Sequence, residues 1–426
     1  MKEIKMKPIF RNKTASWHGK CFLLLLMCCL FSVVSFSQVL SLDSVLSRIE
    51  NNYPSLLKYQ NKITAADELA KGARALPPPK AGVMVDENPY QFDFGSKMVN
   101  VSVSQSFPSI QQLNANENYL KSLSDIQLKE QEQLRNELFA KAKIKYYERY
   151  ISESIIQVLK KNIGLMESMI AISEKEMAMG MGDLGSVYKT KARLEEANTM
   201  MINEYHMIDM ENIELNFLMA TELTHPFSID TNNLLKDYGN KNLLESINTI
   251  EDARSDIQKM NSQISSMRFN QKLMSSMGKP EYEIGAKHYF MTGSPDMYAI
   301  EFMMMIPIAP WSAKGYKSKV KAMDYEIASM EQDKINMLSM ARQMVMLTTH
   351  EYSNEHVAAE NYRNKIIPAY QKSFDAALLS YSQNTGDLMQ ALLALDALQM
   401  AQLEYLKHLG NLLKAQAEYE KEMQIR

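Results

Sequence analysis

Two short turns stand in matching positions about 200 residues apart, Gly182-Asp183-Leu184 and Gly386-Asp387-Leu388. A carboxylate in a turn can cap a helix by accepting backbone N–H bonds. In an assembly it can instead join a ring of like charges, which favours cations and resists closure. Asp183 and Asp387 are candidates for either role. Asp396 lies among Leu392, Leu393, Leu395 and Leu398. A carboxylate in such a run needs a partner or a wet cavity, so Asp396 reads as an interhelical salt bridge or as a residue of a constriction.

Sulfur is the second candidate chemistry. The chain has 33 methionines, among them the triple Met303-Met304-Met305 and the cluster Met177, Met179 and Met181. Thioether sulfur suits Cu(I), which opens a copper or silver reading; methionine also serves as flexible core packing. The histidines offer no metal site. His350 and His356 are six apart, whereas a four-residue spacing would put both on one helix face. No nucleophile elbow, phosphate loop or zinc motif is present. The expectation is a protein that is not an enzyme and needs no cofactor. The net charge of −3 carries no basic excess, so nucleic acid is not expected as a partner.

The elements that must hold these residues are long. With 46% hydrophobic and 23% charged residues the chain is a folding one. Only 15 Gly and 13 Pro interrupt 426 residues, which favours long helices. Residues 1–37 read as a secretory leader. Lys2, Lys5, Lys7, Arg11, Lys13 and Lys20 precede an apolar run from Phe22 to Val34, and Ser35-Phe36-Ser37 places cleavage before Gln38. Cys21, Cys28 and Cys29 all fall in that leader, so the mature chain is expected to have no disulfide and no thiol ligand. No later stretch is apolar enough for a spanning helix. Entry into a membrane would require a closed β-barrel.

Each half of the remaining chain predicts the same order of helix, two strands, very long helix, helix. The first repeat is set at 38–220, a linker at 221–241 and the second repeat at 242–426. In the first, Leu42 to Ala75 is helical in pattern, and Gly82 to Asp86 and Met98 to Phe107 are strands. A long helix from Gln111 to Ala178 and a second from Val187 to Met219 follow. In the second, Leu243 to Met277 is helical, Tyr282 to Phe290 and Met297 to Ile306 are strands, Lys314 to Ser382 is helical despite Pro368, and Leu388 to Glu422 closes the chain. Met323, Met330, Met337 and Met344 recur every seven residues, with Ile327, Met340 and Leu347 beside them, a heptad seam that asks for a partner helix.

The strands alternate. Asn100, Ser102, Ser104, Glu283, Lys287 and Glu301 are predicted to face water in a lumen. Val99, Val101, Val103, Tyr282, Ile284, Ile300 and Phe302 are predicted to face lipid, with Tyr90, Tyr289 and Tyr298 as headgroup-level aromatics. Four strands cannot close a barrel, so several chains must contribute; three chains give twelve strands and a water-filled lumen.

These landmarks come in order. Leu42-Asp43-Ser44-Val45-Leu46 precedes Asn52-Tyr53-Pro54, and the strand-ending Pro108 and Pro307 each precede a long helix. Gly182 is followed by Ala192-Arg193, and Gly386 by Asp396-Ala397. In this order and duplication the chain resembles the TolC outer-membrane efflux family over essentially its whole length after the leader. The resemblance implies a mostly α fold with a small β part: long coiled-coil helices forming an α-helical barrel, and four strands per protomer in a trimeric twelve-stranded β-barrel. It implies a location in the outer membrane, extending into the periplasm. It implies a homotrimer in outer-membrane lipid, with a periplasmic adaptor (membrane fusion) protein and an inner-membrane pump as partners. The helix–helix turns at the tunnel's inner end would form the gate and meet the adaptor, which maps here to Gly182, Asp183 and Leu184 and to Gly386, Asp387 and Leu388. The alternative is a periplasmic coiled-coil adaptor or scaffold, which would not need lipid-facing alternation.

Overall fold

The computed structural model describes residues 39–86, 98–180, 183–232, 234–236, 238, 249–307, 309–383 and 385–426. The leader with its cysteines, Tyr90, Met181 and Gly182 lie outside the described residues. In chain order the elements are β1 (Val39–Leu40), α1 (Leu42–Asn52), α2 (Pro54–Lys71), β2 (Lys80–Asp86), β3 (Met98–Phe107), α3 (Ile110–Ala178) and α4 (Leu184–Leu218). The second half gives β4 (Ser228–Ile229), α5 (Ser255–Ser276), β5 (Glu281–Met291), β6 (Met297–Met305), α6 (Pro310–Asn361), a π-helical turn (Tyr362–Ile366), α7 (Ile367–Ser382) and α8 (Leu388–Glu422).

Local chemistry sets the boundaries. Ser109, just after Pro108, caps α3 by accepting from the Gln112 N–H at 3.2 Å. The helix then runs 69 residues, about 100 Å at 1.5 Å per residue. It ends where Gly180 takes a φ of +72°, a left-handed conformation open to glycine. The helix expected from Leu42 to Ala75 is instead two helices. Tyr53 is extended, because the residue before a proline avoids the helical region, and Pro54 starts α2. Pro368 sits at the start of α7, and the π turn ahead of it takes up the ring and the missing N–H without ending the run.

The heptad seam also shifts. Ile327 is buried, but from there on the buried positions of α6 are Leu338, Ala341, Val345, Thr348, Tyr352 and Ala359, while Met340, Met344 and Leu347 are exposed. Ile327 to Leu338 is an eleven-residue step, after which Leu338, Val345, Tyr352 and Ala359 recur every seven, so the seam is offset once and then runs one position past the methionines.

The helices pack side by side as long antiparallel neighbours. α3 lies against α2, α4, α5 and α8, and α8 lies against α3, α6 and α7. One core joins α1, α3 and the ends of α4 and α8 through Leu46, Ile49, Tyr146, Tyr147, Leu215 and Leu413. A second core lies at the far ends of the helices, where Met166 and Met169 meet Val187, Phe374 and Leu388 to Leu398. At the opposite extreme β2, β3, β5 and β6 form one antiparallel sheet in the order β2-β3-β5-β6. All four helix connections leave one end of that sheet; β2 ends and β3 begins at the other, where the 292–296 turn also joins β5 to β6. Among the described residues no helix is long and apolar enough to cross a membrane.

Candidate functional site

In an antiparallel ladder directly opposed residues share a face, so the register sorts the sheet. Asn100, Ser102 and Ser104 oppose Tyr289, Lys287 and Gly285, and Glu283, Gly285 and Lys287 oppose Met303, Glu301 and Ala299. Asn100, Ser102, Ser104, Glu283, Lys287 and Glu301 are therefore brought together on one face. Val99, Val101, Val103, Tyr282, Ile284, Ile300 and Phe302 share the other. Tyr298 joins them there. Tyr289, grouped with Tyr298 in the sequence reading, lies instead on the polar face opposite Asn100. Period two puts it with Lys287 and not with His288.

Polar contacts knit the first face. The Glu283 carboxylate accepts from Ser104 Oγ at 2.5 Å and Ser106 Oγ at 3.2 Å, and pairs with Lys80 Nζ at 3.1 Å. Lys287 pairs with Glu301, and Ser102 Oγ donates to the Gly82 carbonyl at 3.3 Å. Exposure is inverted relative to a water-soluble sheet. On the polar face the inner charged side chains are partly covered, Glu283 being 20% exposed and Lys287 28%, while Lys80 on the edge strand is 66% exposed. On the apolar face Ile300 is 77% exposed, Phe302 67% and Val83 71%. A contiguous exposed surface of valine, isoleucine and aromatic side chains marks an interaction with lipid or protein.

The far end of the helices holds the three aspartates. Asp183 is the N-cap of α4; its carboxylate accepts from the Ser186 N–H at 2.9 Å, the Gly185 N–H at 3.1 Å and Ser186 Oγ at 2.7 Å. Those bonds, the Ser186 hydroxyl foremost, hold its carboxyl below the usual carboxylate range. Asp387 stands at the N-cap of α8 with no side-chain cap bond and is exposed. Asp396 Oδ2 meets Arg193 Nε at 3.3 Å, across from α8 to α4. Burial raises the Asp396 carboxyl above its ordinary value, and the Arg193 charge only partly offsets this. Leu184 is exposed, while Leu388 is buried in the core of this end. Gly386 has no room for a side chain: a Cβ there would stand 2.9 Å from the Ser380 Cβ.

Three residues that the sequence did not reveal tie the two turns together. Tyr381 Oη, on α7, donates to the Glu176 carboxylate at 2.8 Å and lies 2.9 Å from Ser173 Oγ, both on α3. Tyr381 is 4% exposed, and burial is the main cause that pushes its hydroxyl up to about 12. Beside it a groove of about 430 Å³ is lined by Leu165, Met169, Ile172, Phe374 and Leu378. Nothing in the local sequence marks Tyr381, because its partners are more than 200 residues away.

Near the helix midpoint a buried polar knot fixes the linker. Lys143 Nζ pairs with Glu420 at 2.5 Å, and Glu420 also takes Lys236 Nζ at 3.0 Å and Tyr238 Oη at 2.7 Å. Burial opposes ionisation of Glu420, but Lys143 and these donors outweigh it and hold the carboxyl low. Gln416 binds the linker backbone at Lys236 N (2.9 Å) and the Leu234 carbonyl (3.0 Å). Among the described residues no group of three His, Cys, Asp or Glu side chains is placed to hold a metal ion.

No protein-family model matches the chain, and no curated protein matches it in sequence. Its architecture matches solved structures closely. The outer membrane protein VceC of Vibrio cholerae superposes with a TM-score of 0.71 at 12% identity, over 90% of this chain and 95% of that one. The CmeC outer membrane channel of Campylobacter jejuni gives 0.72 at 12% identity, over 90% and 85%. The open state of the MtrE outer membrane channel of Neisseria gonorrhoeae gives 0.71 at 11% identity, over 90% and 88%. The long helices, the four-stranded sheet left open in a single protomer and these likenesses agree: the chain has the fold of the TolC-type outer-membrane channels.

Proposed function

We propose that this chain is one of three copies forming an outer-membrane exit duct, through which solutes leave the periplasm without being chemically changed. The observation that carries this is the inverted sheet. Its valine, isoleucine and aromatic side chains lie bare on one face, while on the other Glu283, Lys287 and Glu301 are paired and partly covered. In water that arrangement is unfavourable by about 25 cal/mol for each Å² of apolar surface left exposed; in lipid it is the favourable one. Strands β2 and β6 each keep one unpaired edge, which hydrocarbon does not tolerate. Sister copies pairing β6 with the next β2 would remove every edge and give twelve strands.

In this reading Asn100, Ser102, Ser104, Glu283, Lys287 and Glu301 line the lumen, and the helices continue it through the periplasm. The gate is the helical end that holds Asp387 and Asp396. Asp183 supports it through its cap, since its carboxylate is already engaged. Leu184, Gly386 and the neighbouring Gly182 would meet a periplasmic adaptor, while Leu388 packs inside. An inner-membrane pump would supply the energy.

Cell fractionation tests the assembly. The duct predicts outer-membrane material that runs as a trimer until heated; a soluble periplasmic monomer would point to a scaffold. Planar-bilayer recording tests the gate. Asp387→Ala or Asp396→Ala should change single-channel conductance or its block by multivalent cations, and identical records in both would remove these residues from it.

A further inference from the structure

The polar face of the sheet carries a second pattern. Of seven strand methionines, six lie on it: Met84, Met98, Met291, Met297, Met303 and Met305; Met304 alone is on the apolar face. Not one valine, isoleucine, leucine or phenylalanine in these four strands shares that polar face. Hydrophobicity alone does not explain this, since valine and isoleucine have the higher strand propensity and crowd the other face. Core packing does not explain it either: Met84 is 55% exposed, Met297 51% and Met305 67%. What distinguishes methionine from leucine at equal volume is the sulfur atom.

The placement is ordered. Met84, Met98, Met291 and Met297 come one from each strand, at the end of the sheet away from the helices. Met98 directly opposes Met291, so their Cβ atoms stand about 5 Å apart, within reach of one shared ion. Met297 opposes Tyr289, one step diagonal to Met291, and Met84 opposes Asn100, one step diagonal to Met98. At the other end Met303 opposes Glu283 and Met305 opposes Glu281, where carboxylates would draw cations towards the sulfur.

Resting on the duct reading for the inward orientation of this face, we propose that Met84, Met98, Met291 and Met297 form a thioether belt at the outer mouth that binds soft monovalent cations, Cu(I) or Ag(I). Neutral thioethers bind such ions without demanding proton release. Three sister copies would close the belt around the mouth. Few ligands per ion make each stop brief, as conduction requires.

Silver is the probe, in nitrate electrolyte so that no chloride removes it. The full-length protein in planar bilayers should show reversible current block at micromolar Ag⁺. With Met84, Met98, Met291 and Met297 all changed to leucine, block should need at least tenfold more silver, each channel's own silver-free current being the reference. Changing Met207, Met210, Met340 and Met346 on the helices to leucine should leave the block as it was. Calorimetric titration of Ag⁺ into the same proteins in detergent should show the matching loss of affinity, and it reads the belt whether or not the channel conducts. Equal silver affinity in wild type and belt variant overturns the proposal. A protein that binds silver through the belt but passes no current overturns the duct instead.

Discussion

Tyr381→Phe removes one hydroxyl from the latch between the two helical hairpins. The ring stays, so the packing of Tyr381 against its core is kept. Ser173 is not orphaned, because its hydroxyl still donates to the Met169 carbonyl at 2.9 Å. What is lost is the 2.8 Å hydrogen bond to the Glu176 carboxylate. Bonds to charged groups contribute about 1.5–3 kcal/mol. Glu176 is half-buried, so the lower figure applies: about 1.5 kcal/mol, or roughly tenfold per protomer in the equilibrium for parting the hairpins. If three latches must part together, the open state gains about a thousandfold. The assay is single-channel recording of purified Tyr381→Phe, Glu176→Ala and the double variant. The singles should open more often or conduct more, and the double should add little to either, because both remove one contact. Wild-type records from both singles, with the trimer intact, would refute the argument that this contact holds the end shut.

Further outcomes follow from the same geometry. Glu420→Gln leaves Lys143 buried without its counter-charge and should cost about 3–5 kcal/mol, seen as a lower unfolding midpoint in detergent. The folded-state value of Glu420 lies below its ordinary 4.5, so its stabilising contribution is present above pH 4.5 and is lost as pH falls through the folded value; a midpoint that does not change on acidification would contradict this. Ile300→Lys should cost about 2–4 kcal/mol in assembly while Ala299→Lys on the opposite face is tolerated, read as the yield of heat-modifiable trimer. Asp183→Ala should speed hydrogen exchange at the Gly185 and Ser186 amides, whereas Asp183→Asn should protect them in part.

The sheet was legible because two signals coincide: alternation fixes which residues share a face, and Pro108 and Thr292-Gly293-Ser294-Pro295-Asp296 fix where strands end. The long helices were legible from the scarcity of breakers. Tyr289 was misread because its aromatic character was weighed ahead of its place in the alternation. The seam of α6 was misread because its repeat is broken once between Ile327 and Leu338, so counting sevens from Met323 lands one position early at Met337 and Met344. The tip was half legible. Gly386 and the two Gly-Asp-Leu turns are local signals, and so is the Asp183 cap. The Arg193–Asp396 and Tyr381–Glu176 contacts are not, since they depend on the two halves lying side by side. Lys143, Tyr238 and Glu420 were invisible for the same reason: a buried ion pair looks like two surface residues until the packing brings them together.

The central claim is that the charged face of the sheet lines a conducting lumen and the apolar face meets lipid. Cysteine placed at Ser102 and, separately, at Val101 tests it, with a charged methanethiosulfonate reagent added to open channels in a planar bilayer. Current should fall on modification of Ser102→Cys and hold steady for Val101→Cys, with the unsubstituted protein as background. No current from any of the three proteins, or equal loss at both positions, would contradict the account.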